Sequence, residues 1–404
     1  AGIIGGHGLM QNPTMNNLFS WDIKTISIAI PLYGFLASVL PVWLLLVPRD
    51  YLSTYLKIGT IIMLAIGVIV IHPTVQMPAI TAFVNGGGPV IGGPVLPFIF
   101  IVIACGAISG FHAVIATGTT PKMLNKEKEI LFVGYGAMLV EGFVALMALI
   151  AACTLMPGDY FAINTPKDAY DSFLAAHPTL HGVDIDYYSQ KIGIDLYGRT
   201  GGAVSLAVGM AHIFNKIPYM DQLTAYWYNF AIMFEAVFIL TAIDAGTRVG
   251  RFFLQEMLGS VVPKFNDKNW VPGIIISSLL FTFAWGYLVY TGNVSSIWPL
   301  FGISNQLLAA CGLIVCTTML IRMNRGKYAL CSAIPGVFMA IITFWAGYIQ
   351  VTSIYIPEEQ YLLAALAVTA MVLMLIVFIG AFRKWYQLLQ IKTTEIDYYG
   401  EPVK

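Results

Sequence analysis

The sequence predicts an all-α fold, a polytopic bundle of transmembrane helices. Three observations carry that prediction. Charged residues make up 10 % of the 404 positions, against about 25 % in soluble domains. Mean hydropathy is +0.77 and aromatics reach 13 %. The chain also holds nine apolar runs long enough, at ~1.5 Å per helical residue, to cross a hydrocarbon core of ~30 Å. The formal net charge is +0, so charge points to no nucleic-acid partner. The partner implied by composition is the lipid bilayer.

Taken in order, residues 1–20 hold no initiator Met, no basic n-region and no h-region, so they do not read as a signal peptide. Ala1–Ser20, with its glycine-rich GIIGGHG, is expected to be an extracytoplasmic segment, and the chain the later part of something longer. The runs are Thr25–Val47, Thr54–Ile71, Leu96–Thr117 and Ile130–Leu155 (helices 1–4, within residues 21–155). Ala225–Ile243, Pro272–Tyr290, Ile297–Ile321, Tyr328–Ile349 and Tyr361–Phe382 follow as helices 5–9, within residues 225–382. Basic residues mark the cytoplasmic connections: Arg49 and Lys57; Lys122, Lys126 and Lys128; Arg248, Arg251, Lys264 and Lys268; Arg322, Arg325 and Lys327; and the tail, residues 383–404. The connections between them, at 72–95, 291–296 and 351–360, contain no Lys or Arg.

This alternation decides a tenth, shorter run. Leu155 exits outside and Arg248 lies inside, so only one of Gly201–Phe214 and Ala225–Ile243 spans. Fourteen residues reach ~21 Å, so Gly201–Phe214 is read as a re-entrant or interfacial helix. Such backbone is tolerated where protein or a polar cavity surrounds it. Residues 156–200 form the one sizeable extracytoplasmic loop. In it, Thr165-Pro166-Lys167-Asp168 reads as a helix start with a capping hydroxyl. The loop is read as a solvated structural segment, with a lid over an entrance as the alternative.

The stretch Ile101–Lys122 begins as a membrane helix and then gives up apolar surface for Gly106, Ser109, Gly110 and His112, ending in Thr119, Thr120, Pro121 and Lys122. Trp298–Gln306 likewise opens a helix with Pro299, Gly302 and the adjacent amides of Asn305 and Gln306. Interrupted membrane helices free backbone groups that bind a substrate or an ion. Ser109, Gly110, Thr119, Thr120, Asn305 and Gln306 are therefore the candidate substrate-binding residues. Against this stands a structural account: Gly106-x3-Gly110 permits close helix packing, and the amides bond to a neighbouring helix.

An ionised side chain at mid-bilayer costs about 2.5–3.5 kcal/mol on insertion scales, so such groups face the protein interior. Glu141 and Glu235 each lie ~15–16 Å into their helices, near the midplane. His112 is nearer the cytoplasm. These three are the proton-coupling candidates, because carboxylate and imidazole chains serve pumps and transporters; the bland alternative is a neutral Glu that glues two helices. Asp244 and Arg248, four apart at the inner end of a helix, are expected to face each other as a structural or gating latch.

No metal site, cofactor site or catalytic residue is read. The five cysteines all lie in apolar runs, where small buried hydrophobes are the ordinary reading. GxxxxGK[ST], HExxH, GxSxG and CxxC are absent.

Five long motifs are specific enough to carry a resemblance: LPVWLLLVPRDYLSTYLKIGT (Leu40–Thr60), ACGAISGFHAVIATGTTPKML (Ala104–Leu124), GYGAMLVEGFVALMALIAA (Gly134–Ala152), FEAVFILTAIDAGTRVGRF (Phe234–Phe252) and WPLFGISNQLLA (Trp298–Ala309). From about Trp21 onward the chain resembles the carbon starvation protein A (CstA) family. The resemblance implies an inner-membrane protein linked to uptake of short peptides during carbon starvation, with relatives that carry pyruvate. It also implies the broken-helix, inverted-repeat fold of the amino acid–polyamine–organocation transporters. Family chains are longer and begin with further spans absent here. The expected function is thus secondary active transport of a short peptide or pyruvate, coupled to protons, with no enzyme activity. A passive channel and a membrane nutrient sensor are the alternatives from other classes.

Overall fold

In a hydrocarbon solvent, every backbone N–H and C=O must find its partner within the segment, so apolar runs become helices. The computed structural model describes residues 12–178, 180, 184–292 and 294–390. Among these residues there are sixteen α-helices and no β-strand. Seven helices are long and apolar enough to cross a membrane, and a bent pair makes an eighth. The expectations for the glycine-rich start and for most of the tail fall on residues 1–11 and 391–404, outside the described residues.

The chain divides into two compact units. The first comprises the residues up to Ile80 together with Asn125–Val294. It opens with α1 (Pro13–Phe19) and α2 (Ile23–Val39), bent by 54°. Pro41 forces Leu40 into the extended region (φ −67°, ψ 150°), which ends α2. After a turn, α3 (Leu46–Ile71) begins. Arg49 and Asp50, expected in a connection, therefore lie on the first turns of a helix. A π-helical turn, Leu131–Gly136, leads into α7 (Ala137–Cys153).

Residues 156–200, read from the sequence as an outer loop, are not irregular. They fold into α8 (Pro157–Asn164), α9 (Lys167–Ala176) and α10 (Ile185–Ile192). Buried Asp159 accepts the N–H groups of Asp184 (3.3 Å) and Ile185 (3.1 Å), which caps the start of α10. Ile185, Tyr188, Ile192 and Leu196 join the unit's hydrophobic core. The expected cap at Thr165 does not form: Pro166 takes the N-cap position, and the buried Thr165 Oγ1 makes no hydrogen bond with a described residue. Proline already fixes the φ that the cap position needs.

α11 (Ala203–Asn215) is the short run read as re-entrant, and it sits at the centre of the unit. Nearly every side of it is buried, as expected for a helix apolar all round. It packs against α3, α7, α8 and α12 (Thr224–Gly259). Gly209 allows its approach to α7, because a Cβ there would run into the backbone carbonyl of Ala151. Asn164 Nδ2 donates to Ser205 Oγ at 2.8 Å and ties α8 to it. With 36 residues, α12 runs ~54 Å, past the expected end at Ile243 and through Arg248, Arg251 and Gln255. α13 (Val271–Thr291) packs on α2 and α12, with the buried hydroxyls of Ser38 and Ser278 3.0 Å apart.

The second unit comprises Thr81–Leu124 and the residues from Ser295 onward. In place of the single helix expected over Leu96–Thr117 it has three pieces: α4 (Val95–Val102), α5 (Ala104–Ala107) and α6 (Gly110–Gly118). The long helices are α14 (Val294–Arg322), α15 (Gly326–Gln350) and α16 (Tyr361–Gln390). Phe98, Ile303, Leu307, Met339, Phe378 and Trp385 are among its core residues.

Candidate functional site

The break between α4 and α6 is where the second unit spends its polar groups. A helix end leaves N–H and C=O groups without intrahelical partners, and in lipid these cannot be left open. Two adjacent amides on α14 answer both sides. Asn305 Oδ1 accepts the Phe111 N–H at 2.7 Å and the Ser109 hydroxyl at 3.3 Å, so it caps the start of α6 from another helix. Ser109 stands at the N-cap position but makes no cap bond of its own. Gln306 Nε2 donates to the Phe100 carbonyl, one of those released in the last turn of α4, at 3.1 Å.

At Gly110 the packing alternative has a geometric basis. A Cβ there would overlap the Asn305 carbonyl and the Ala309 nitrogen of α14. Its role is to let two backbones meet, which places Asn305 within reach of the broken helix. Gln306 is fully buried, and its Oε1 accepts no hydrogen bond from a described residue. That oxygen is a spare acceptor beside the break. Asn305 also lines a cavity of about 70 Å³ with Val102, Cys105, Trp298, Pro299 and Gly302. Pockets for drug-sized ligands are ~300–1,000 Å³, so this cavity is well below that size.

Thr119 and Thr120 fall at the other end of α6, ~13 Å along the helix from Gly110. Thr119 Oγ1 is buried without a hydrogen-bond partner among the described residues, and Thr120 Oγ1 donates to the Ile115 carbonyl at 3.4 Å. They are not grouped with Asn305 and Gln306. His112 lies on α6, exposed, edge-on to the Phe111 ring at 5.7 Å.

In the first unit, Glu141 is half-buried on α7 and Glu235 half-buried on α12. Both helices pack on α11. Glu235 makes no hydrogen bond or ion pair with a described residue.

The charged cluster around Asp244, midway along α12, is larger than the sequence suggested. Asp244 is fully buried, and its Oδ2 meets Arg49 Nη2 at 2.9 Å and the Tyr33 hydroxyl at 3.0 Å. The latch expected between Asp244 and Arg248 is not the ion pair that forms. Arg248 donates instead to the Ala37 carbonyl and, at 2.7 Å, to the Leu40 carbonyl, so it closes the C-terminus of α2. Four residues on one helix bring two charges near each other, but a neighbouring helix offers each a better-aligned partner. Sequence reasoning missed Tyr33 and Arg49. The signal available was the charged pair inside PRDYLSTYLKIG, set among apolar runs.

An open groove of about 520 Å³ lies between α2 and α13 in the first unit. Its lining is dominated by Ile28, Pro31, Leu32, Phe35, Leu279 and Phe283, which suits acyl chains and not a zwitterionic cargo. Outside the membrane segments, the exposed ion pair of Lys167 and Asp195 holds the Asp195 carboxyl below its ordinary range, chiefly through the lysine's hydrogen bond. Burial, and then the hydrogen bond to Asp186, push the Tyr197 phenol up.

These features define a class: a multi-pass helical membrane protein with a broken helix stitched to its neighbour by side-chain amides. Within that class, the chain belongs to the carbon starvation protein CstA family, whose sequence model matches residues 1–346. It is similar to the peptide transporter CstA of Bacillus subtilis (strain 168), at 47 % identity over 384 residues, which is 94 % of this chain and 63 % of that protein. It is also similar to the peptide transporter CstA of Escherichia coli (strain K12), at 45 % over 370 residues (86 % of this chain, 52 % of that protein). A third relative is the pyruvate/proton symporter BtsT of Escherichia coli (strain K12), at 42 % over 386 residues (86 % of this chain, 53 % of that protein). The chain thus spans 52 % to 63 % of the length of these relatives. No solved structure matches it.

Proposed function

We propose that the chain is part of a secondary active transporter that takes up a short peptide or pyruvate through the cell's inner membrane, coupled to protons. The relatives named as peptide transporters and as a pyruvate/proton symporter support the cargo class and the ion. The observation that carries the reading is the break between α4 and α6. A membrane helix is interrupted, its freed groups are met by Asn305 and Gln306, the Gln306 Oε1 acceptor is left over, and Asn305 lines a small cavity. Interrupted helices of this kind form the binding sites of many transporters.

Ser109, Asn305 and Gln306 face cargo in this reading, and Gly110 shapes the site by close approach. Thr119 and Thr120 serve the inner end of the path. Glu235, which has no described hydrogen-bond partner, is the first proton candidate, with Glu141 and His112 as the others. By the Lys and Arg distribution, the tail is cytoplasmic and α1 lies on the outer side.

The test is uptake of labelled pyruvate and of a labelled dipeptide into membrane vesicles, with and without an imposed proton gradient. Gradient-dependent accumulation of either cargo is expected, falling at least tenfold in Glu235→Gln. Uptake that equilibrates without accumulating would show a passive channel.

A further inference from the structure

The middle of α12 carries a hydrogen-bonded chain of side chains from three helices. Lys57 on α3 donates to Thr241 Oγ1 on α12 at 2.7 Å. The Thr241 hydroxyl donates to Asp50 Oδ1 at 3.0 Å. Asp50 Oδ1 also takes Arg49 Nη2 at 2.8 Å, and the same nitrogen reaches Asp244 Oδ2 at 2.9 Å. Arg49 Nη1 donates to the Tyr33 hydroxyl at 2.8 Å, and that hydroxyl donates onward to Asp244 Oδ2 at 3.0 Å.

Two details make this more than a structural ion pair. Asp244 Oδ2 has two donors, whereas its buried Oδ1 has none among the described residues. An ionised carboxylate with one oxygen left bare in a fully buried position is costly. A proton placed on Oδ1 removes the buried charge, the larger part of that cost, and cancels the attraction that holds Arg49. In addition, one Arg49 nitrogen is shared between Asp244, across the helix contact, and Asp50, next to it on α3. When Asp244 becomes neutral, Arg49 keeps Asp50 as counter-charge on its own helix. Release therefore leaves Arg49 paired and Arg248 still donating to the Ala37 and Leu40 carbonyls, which lowers the usual penalty for breaking such a pair.

We propose that Asp244 is a proton-carrying carboxylate and that its pair with Arg49 is a latch between α3 and α12, closed when Asp244 is ionised and released when it is protonated. The step is the addition of one proton to Oδ1, forming an O–H bond, and its later return to water. Asp244 is at a different station from Glu235: nine residues apart at 100° each, the two side chains lie on opposite faces of α12. The groups that face Asp244 are Tyr33 from α2, Arg49 and Asp50 from α3, and Arg248 one turn along α12. α13 brings no Asp, Glu, Lys, Arg or His. Asp186, Lys191, His212, Asp221 and Lys264, on other segments packed against α12, make no described hydrogen bond or ion pair with Asp244 or Arg49.

The proposal rests on the proton-coupled reading above, and its test separates the two. Vesicles from cells producing the protein from its whole reading frame are assayed with labelled pyruvate and labelled alanyl-alanine for gradient-driven accumulation and for counterflow exchange. Asp244→Asn keeps the shape and is always neutral. It is expected to lose at least tenfold in accumulation while exchange persists. Accumulation that persists in this variant, or loss of exchange in a variant that reaches the membrane at wild-type level, overturns the proposal. If Asp244→Asn does not reach the membrane, Tyr33→Phe decides. It removes one donor to the ionised carboxylate, so the pH profile of uptake should move up by about one unit, and an unchanged profile overturns the proposal. Wild-type accumulation indifferent to the gradient sinks the coupled reading itself, and the latch with it.

Discussion

Replacing Asn305 by Ala removes the acceptor that closes the start of α6. The Phe111 N–H, now held at 2.7 Å, and the Ser109 hydroxyl, at 3.3 Å, both lose their partner. Water is scarce at this depth, so the orphaned N–H costs about 1–3 kcal/mol. At 1.4 kcal/mol per factor of ten, that is roughly 5- to 150-fold in the population of the opened segment. Hydrogen exchange of protein in lipid nanodiscs, read by mass spectrometry on a peptide covering residues 106–118, reports that population directly. The expected result is faster exchange by that factor, confined to the start of α6, with the core of α11 unchanged. Asn305→Asp keeps the acceptor and adds a negative charge at a helix N-terminus, where it is favourable, so protection should return. Wild-type protection in Asn305→Ala would refute the claim that this amide caps the break.

Three further outcomes follow from the same geometry. Gly110→Ala places a methyl against the Asn305 carbonyl and the Ala309 nitrogen; backbone must move, so a loss of about 1–3 kcal/mol is expected in thermal unfolding, together with reduced uptake. Arg248→Met keeps the buried stem but strips the Ala37 and Leu40 carbonyls of their donor, and should cost about 1–3 kcal/mol by the same measurement. Lys167→Ala should raise the Asp195 carboxyl toward its ordinary range in an NMR titration, with the Tyr197 N–H still holding it somewhat low. Because the wild-type value is depressed, the pair's small contribution is present above the ordinary Asp value and fades as pH falls through the lowered one; with Lys167 68 % and Asp195 53 % exposed, melting should barely change.

The sequence was most legible where physics is local. Low charge and long apolar runs identify a membrane bundle, because hydropathy is summed residue by residue along one segment. Gly106, Ser109 and Gly110 marked a helix in trouble, and the break lies there. Asn305 and Gln306 stood out as adjacent amides in an apolar run, and they are the groups that meet it. Residues 156–200 were less legible: their short helices owe their stability to Ile185, Tyr188 and Leu196 packing into a core that no window of sequence contains.

By itself, then, the sequence determined the solvent of this protein, its helical class, and which residues carry a cost that must be met. Only the tertiary structure decided who meets it. Asp244 turned from Arg248, four residues away, to Arg49 and to Tyr33, 211 positions distant. Gly110 is held against the backbone of Asn305 and Ala309, and Thr119 and Thr120, at the far end of α6, lie apart from the two amides. The reason lies in the energies: an i,i+4 pair on a helix surface is worth only a few tenths of a kcal/mol. A buried carboxylate takes whichever donor best offsets its desolvation, and which donor that is depends on how helices distant in sequence pack together.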